Sequence, residues 1–272
     1  MNKIIIFKKE ALPSGGFFFS TNSLYLRGII NHKSIKMKKL IFTAFLTVCF
    51  SAQAQIGYWT AYQFDVNPGS EELVLKLFNE YFSKYGTAEG VTVALFENHF
   101  KDPDWNFSHQ ILFNGSLDAM SNQYSSPPND AWALFLEKMG NHIKGHNAFM
   151  GEIDAAYANG NPDEFPIQRI LALQVNDYDK WLDAYEKYNS KYNKPDRLTF
   201  AGNFTAGHHH MSGGNAWVVQ GFRDFKGAIG GHSKLPSKYS QKEHEKAWDN
   251  FLETSGGGKI VRSFLRIMLA TY

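Results

Sequence analysis

Two periodicities of hydrophobic and polar positions alternate along the chain from residue 58 onward. Apolar residues at every second position are typical of half-buried strands, and apolar residues at i, i+3 and i+4 are typical of amphipathic helices. The first pattern predicts strands over 58–66, 91–99, 106–114, 149–157, 168–175, 197–205, 215–222 and 259–272. The second predicts helices over 71–85, after Pro128, after Asp177 and over 240–254, with short helices over 116–122 and 225–230.

One helical motif occurs twice. The pattern Ala-Trp-x-x-Phe-Leu-Glu-x-x-Gly spans 131–140 and again 247–256. Its Trp, Phe and Leu form one apolar helix face, expected to pack on the sheet, and its Gly is a natural helix stop. Two further pairs of matches keep the same order: 81–85 with 188–192, and 114–115 with 220–221. Three ordered matches predict an internal duplication.

Each predicted repeat has the element order β-α-β-β-α-β, which is that of the ferredoxin-like split βαβ unit. Such a sheet carries helices on one face only, and two tandem copies can bury their other faces against each other. In this order and duplication the chain resembles the dimeric α/β-barrel superfamily in its fused, two-repeat form. The predicted fold class is α+β, with tandem ferredoxin-like repeats at 55–157 and 167–272, a linker at 158–166, and a pseudo-dimeric α/β barrel.

The resemblance also bears on function. The superfamily includes cofactor-free monooxygenases, haem-degrading enzymes, chlorite-dismutase-like and dye-peroxidase-like haem proteins, and many domains of unknown role. It implies a ligand site between sheet and helices, and it admits haem as a cofactor. A fold shared by so many activities does not choose among them.

The N-terminal residues predict export. Residues 37–54 contain a Met-Lys-Lys start, an apolar stretch and an Ala-Gln-Ala cleavage site, the features of a secretory signal peptide. The mature chain is then expected to begin at Gln55 and to be secreted or periplasmic. Residues 1–36 are interpreted as an upstream start placed too early, and the alternative is a signal anchor with a cytoplasmic tail.

Cysteine and charge exclude several classes of function. Cys49 is the only cysteine and lies in the predicted signal peptide, which excludes disulfides, thiolate metal sites and a cysteine nucleophile in the mature chain. From Gln55 onward the chain has 20 basic and 25 acidic residues, without the basic patch that nucleic acid requires. No further apolar run is long enough to predict a transmembrane helix.

Three histidines are candidates for chemistry. His142 and His146 stand at i and i+4 after the first motif, a spacing that can place two imidazoles on one metal if the helix persists. The alternative interpretation is that both histidines lie at a polar, frayed helix end, and no metal site is predicted. Strand alternation places His109 on an apolar face with Ile111 and Phe113, either as a core residue or as a base whose pKa is tuned by burial.

Tryptophans suggest a binding pocket. Aromatic residues make up 15% of the chain, enough for a pocket lined by aromatic side chains as well as a core. Trp59 and Trp217 lie on predicted strands outside the repeated motif, and they are therefore the aromatic candidates for ligand binding.

Three functions remain open at this point. The leading hypothesis is an exported protein that binds a small apolar or aromatic ligand between the sheet and helices of one repeat. The second is a haem-dependent or cofactor-free oxidase, with His109, His142 or His146 as ligand or base. The third is a structural or interaction module of the cell envelope. Fusion of two repeats supplies an internal partner, so either a monomer or a homodimer is expected. The sequence leaves the ligand, the reaction and the catalytic residues open.

Overall fold

The computed structural model of the protein describes residues 57–100, 107–158, 160–207, 213–231 and 235–272, apart from the side chain of His146. The predicted signal peptide and residues 1–36 lie outside the described residues. In the described part, no helix is both long and apolar enough to cross a membrane.

The strands and helices follow the predicted order. The strands are β1 (Gly57–Val66), β2 (Val91–Phe100), β3 (His109–Gly115), β4 (Ile143–Ile153), β5 (Ala155–Tyr157), β6 (Ile167–Val175), β7 (Arg197–Ala206), β8 (Ala216–Phe222) and β9 (Gly258–Thr271). The α-helices are α1 (Glu71–Tyr85), α2 (Leu117–Ser125), α3 (Asp130–Gly140), α4 (Tyr178–Tyr192), α5 (Phe225–Gly230) and α6 (Gln241–Thr254). A 3-10 turn spans Pro162–Glu164.

Side-chain caps fix where the helices begin. All helices except α1 follow a residue whose side chain accepts a hydrogen bond from a backbone N–H of the first turn: Ser116, Asn129, Asp177, Asp224 and Ser240. Each such bond satisfies a donor that the first helical turn leaves without a partner. The sequence thus sets the start of these helices locally, before any packing.

The strands form one antiparallel sheet that closes into a barrel. Its order is β4-β1-β3-β2-β9-β6-β8-β7, and β4 also pairs with β7. Within each half of the chain the strands stand in the same relative order, fourth-first-third-second, if β5 is taken as an extension of β4. The halves join at two seams, β2 with β9 and β4 with β7. The α+β class and an antiparallel barrel are therefore confirmed.

The barrel gives every strand an outer and an inner face. Alternate residues of β3 show this, because Ile111 and Phe113 pack under the helices while Leu112 packs inside the barrel. The outer faces form a large hydrophobic cluster with the long helices in each half of the chain, and a smaller one with the short helix α5. A further cluster fills part of the interior with residues from both halves.

The Trp of the repeated motif packs mainly on a neighbouring helix. The Trp132 ring lies 5.3 Å from the Tyr81 ring of α1, and the Trp248 ring lies 5.5 Å from the Tyr188 ring of α4. Trp248 is 47% exposed. For Trp248 the expectation of packing on the sheet is therefore wrong, whereas Trp132 is partly buried against the cluster that includes strand residues.

Two glycines allow the close approach at the seam between β4 and β7. A Cβ atom on Gly151 would lie 2.3 Å from the carbonyl oxygen of Asn203, and one on Gly202 would lie 1.9 Å from that of Glu152. Both distances are far below van der Waals contact with backbone atoms, which cannot move aside as a flexible side chain can. Glycine is therefore required here for closure of the barrel.

We expect Gly202→Ala to destabilise the protein by about 1–3 kcal/mol, because the added methyl group overpacks the seam. Gly57→Ala is the matched control, since its Cβ would meet only the flexible end of Ile153 at 3.1 Å. Urea unfolding of both variants measures the difference. An unchanged unfolding midpoint for Gly202→Ala would contradict the role of this glycine in closure.

Candidate functional site

A cavity of about 370 Å³ lies inside the barrel. Residues from all eight barrel strands border it, and the 3-10 turn contributes Pro162 and Asp163. Most of these residues are apolar or aromatic, and the volume is within the range of about 300–1,000 Å³ typical of small-molecule sites. The cavity has the volume of roughly a dozen water molecules, so it can hold a small ligand.

The cavity is not where the sequence placed the ligand. Between the sheet and the helices of the first half, the ring of Tyr81 packs 4.7 Å from that of Phe135, and Phe82 packs 4.7 Å from Phe78. The second half is packed in the same way around Trp181 and its neighbours. Aromatic side chains of the chain itself thus pack the space between the sheet and the long helices, and the cavity of about 370 Å³ lies inside the barrel instead.

Arg266 is the charged residue at the centre of the cavity wall. It lies on β9, directly opposite Gln168 of β6 in the strand register. Its Nε and Nη2 donate to Gln168 Oε1 at 3.0 and 2.7 Å, and its Nη1 donates to Gln110 Oε1 at 2.9 Å. The guanidinium also stacks on Phe96, with its Cζ 3.8 Å from the ring centroid. These contacts fix its position from three sides.

The charge of Arg266 has no acidic partner among the described residues. No ion pair in this part of the chain includes Arg266, and the two glutamines that hold it are neutral. Asp163, the acidic residue at the cavity, is exposed at its rim. Burial lowers the pKa of the Arg266 guanidinium to about 9, because desolvation penalises the charged form. The group is nevertheless cationic at neutral pH.

Trp59 and Trp217 form an aromatic cluster in the cavity wall. Their rings meet edge to face at 5.4 Å, and Phe149 and Phe204 complete the cluster. Trp217 Nε1 donates to the Asn203 carbonyl oxygen at 2.9 Å, whereas Trp59 Nε1 is buried without a partner among the described residues. The structure thus brings together the two candidate tryptophans, one from each half of the chain.

The glycines of the seam also make room for these rings. Trp59 lies directly across from Gly151, and Trp217 directly across from Gly202. A Cβ atom would lie 2.6 Å from Trp59 Cζ2 in the first pair and 3.0 Å from Trp217 Cζ2 in the second. The same glycines therefore permit both the closure of the barrel and the position of the tryptophans.

The candidate histidines lie elsewhere. His109 faces the helices, where it stacks on Phe64 at 6.1 Å and its Nδ1 lies 2.9 Å from Ser108 Oγ. His142 Nδ1 lies 3.4 Å from Ser70 Oγ, at the loop before α1. Neither residue borders the cavity.

The condition under which His142 and His146 could share a metal, a helix that persists through both, is not met. Helix α3 ends at Gly140, and β4 begins at Ile143 because β1 pairs with it as far as Val66. His146 is therefore a strand residue, paired opposite Phe64, and its side chain lies outside the described residues. Among the described residues, no group of three or more His, Cys, Asp or Glu could hold a metal ion.

Haem, which the resemblance admits, requires an axial histidine, cysteine, methionine or tyrosine. The described residues that border the cavity include no histidine and no cysteine. The tyrosine there, Tyr272, donates its hydroxyl to Asn79 Oδ1 of α1 at 3.1 Å. Met268 also borders the cavity, but a haem methionine ligand acts together with a histidine. The residues of the cavity therefore do not fit haem.

The sequence reasoning missed Arg266 and the glutamines that hold it. A signal existed, because Arg266 interrupts the apolar run of the last strand, and Gln110 and Gln168 alternate with apolar residues on theirs. A polar residue on an apolar strand face is the pattern that singled out His109. Which of the two strand faces borders the interior is determined by how the strands pair in the closed barrel.

Comparisons with known proteins bear on the fold. No protein-family model and no curated protein matches the chain. A candidate monooxygenase from Fusobacterium nucleatum subsp. nucleatum is 16% identical with a TM-score of 0.51, covering 80% of this chain and 95% of its own. A second candidate monooxygenase, from Lactobacillus acidophilus, is 11% identical with a TM-score of 0.52, covering 79% and 99%. At such low identity the likeness shows the fold alone, which is similar to that of dimeric α/β-barrel proteins.

We expect the stability cost of the buried guanidinium to depend on pH. At about pH 7 the group is protonated in both the folded and the unfolded chain, so the folded protein bears the whole cost of burying its charge. Above its folded pKa of about 9 the folded chain releases the proton while the unfolded chain keeps it, so the free energy of unfolding rises. Between about pH 7 and pH 10, the free energy of unfolding of the wild type should therefore rise by about 1 kcal/mol relative to that of Arg266→Met. Urea unfolding measures this, and a constant difference would contradict it.

Proposed function

We propose that the protein binds a small, largely aromatic or apolar molecule inside the barrel. The observation that carries the proposal is the cavity of about 370 Å³, bordered by Trp59, Trp217 and other aromatic residues. Aromatic and aliphatic walls gain free energy when they exclude water around an apolar ligand. A few fixed polar groups, here around Arg266, then orient it.

A cofactor-free oxidase is the second candidate, favoured by the fold likeness to two candidate monooxygenases. Such an enzyme would need a general base beside its substrate. Among the described residues, the titratable side chains that border the cavity are Arg266, Asp163 and Tyr272. Arg266 is cationic, Asp163 lies at the rim, and the Tyr272 hydroxyl is bonded to α1. These residues favour binding over catalysis.

The architecture and export of the chain are part of the same proposal. The repeated motif and the matching strand order of the two halves support tandem ferredoxin-like repeats at 55–157 and 167–272. Because the two halves close the barrel by themselves, binding needs no second copy. The signal-like residues 37–54 support a secreted or periplasmic protein. Mass spectrometry of the native N-terminus tests this, with Gln55 as the expected first residue. A terminus upstream of Met37 would contradict the interpretation of residues 1–36 as a start placed too early and would favour the signal anchor.

Filling part of the barrel interior should weaken binding. Ala94 borders the cavity, so Ala94→Leu would occupy part of it. We expect 2-naphthamide, a neutral aromatic probe, to bind the wild type and to bind Ala94→Leu about tenfold or more weakly, a loss of about 1.4 kcal/mol. Isothermal titration calorimetry measures both affinities.

The matched control is Ala133→Leu, the same change at an exposed position of α3. It should bind the probe as the wild type does. Equal affinity for all three proteins would show that the probe binds outside the barrel. No binding to any of them would favour a structural or interaction module, the third of the initial hypotheses.

A further inference from the structure

We propose that the ligand is a carboxylate, an aromatic or apolar body with one planar anionic group held by Arg266. This inference rests on the proposed function, since it describes the molecule that would occupy the barrel. It extends that function by assigning the charge and the orientation of the ligand.

The hydrogen bonds of Arg266 leave room for such a group. A guanidinium has five N–H donors. Three of them are used, one on Nε, one on Nη1 and one on Nη2, and two remain without a partner among the described residues, one on each terminal nitrogen. Two N–H groups on the terminal nitrogens of arginine match the two oxygens of a carboxylate.

The supporting residues orient the guanidinium without neutralising it. Gln168 and Gln110 accept hydrogen bonds from Arg266 through their amide oxygens. Because these oxygens are neutral, they fix the guanidinium in place without neutralising its positive charge. The Phe96 ring covers one face. Arg266 is 5% exposed, and a buried charge that no carboxylate compensates is costly. A carboxylate supplied by the ligand provides this compensation.

The unpartnered groups of the wall favour an acceptor over a cation. Trp59 Nε1, also buried at the cavity, is a donor without a partner among the described residues. Water could satisfy the free N–H groups, but it could not balance the charge. A single buried cation matches the single charge of a monoanion. The remaining aromatic wall fits an apolar body.

The test compares two probes of the same size and shape, 2-naphthoate and 2-naphthamide. Titration calorimetry with the purified protein should show that the wild type binds naphthoate about 30-fold or more tightly than naphthamide, the ratio expected for a buried charge pair. Arg266→Met should lose this preference while it still binds naphthamide. Arg266→Lys, which keeps the charge but not the planar fork, should retain part of the preference.

Arg262→Met is the matched control, because Arg262 lies on the same strand and does not border the cavity. It should keep the wild-type preference. If the wild type binds both probes equally and Ala94→Leu weakens both, the carboxylate inference is wrong while the proposed function stands. If neither probe binds, both fail. A preference for naphthoate that survives in Arg266→Met would also overturn the inference, because the anion would then bind elsewhere.

Discussion

Closure of the barrel is the constraint on which the rest of the structure depends. The seams between β2 and β9 and between β4 and β7 join the two halves by backbone hydrogen bonds. They remove the free edges of two four-stranded sheets and turn the inner faces into an interior. Gly151 and Gly202 allow this at the second seam because their backbones touch those of the facing strands. Without closure, the cavity would be an open surface.

Closure also explains why Arg266 is buried. β9 lies between β2 of one half and β6 of the other, so Arg266 has Asn98 and Gln168 as cross-strand neighbours. Among the described residues, two neutral amides and the Phe96 ring hold the Arg266 side chain. The fold thus retains a charge that weakens the protein when no ligand is present. A retained cost of this kind is common at sites built for binding.

The elements could be predicted from periodicity, and the site only in part. Alternation gave the strands, and caps such as Asp177 marked helix starts, because both signals are local. Trp59 and Trp217 were identified as candidates because they lie on strands outside the repeated helix motif. His109 and Gln110 are polar residues on opposite faces of one strand, and periodicity alone does not tell which face borders the interior, because that depends on long-range pairing. Whether the helix persists through His142 and His146 also depends on long-range pairing, because β1 pairs along its full length and starts β4 at Ile143.

The central claim is that a ligand lies inside the barrel with its anionic group on Arg266. A crystal structure of the protein grown with 2-naphthoate tests it most directly. The account predicts the carboxylate oxygens within hydrogen-bond distance of Arg266 Nη1 and Nη2, with the rings beside Trp59 and Trp217. Naphthoate bound between the sheet and the helices, or an interior that contains only water at saturating probe, would contradict it.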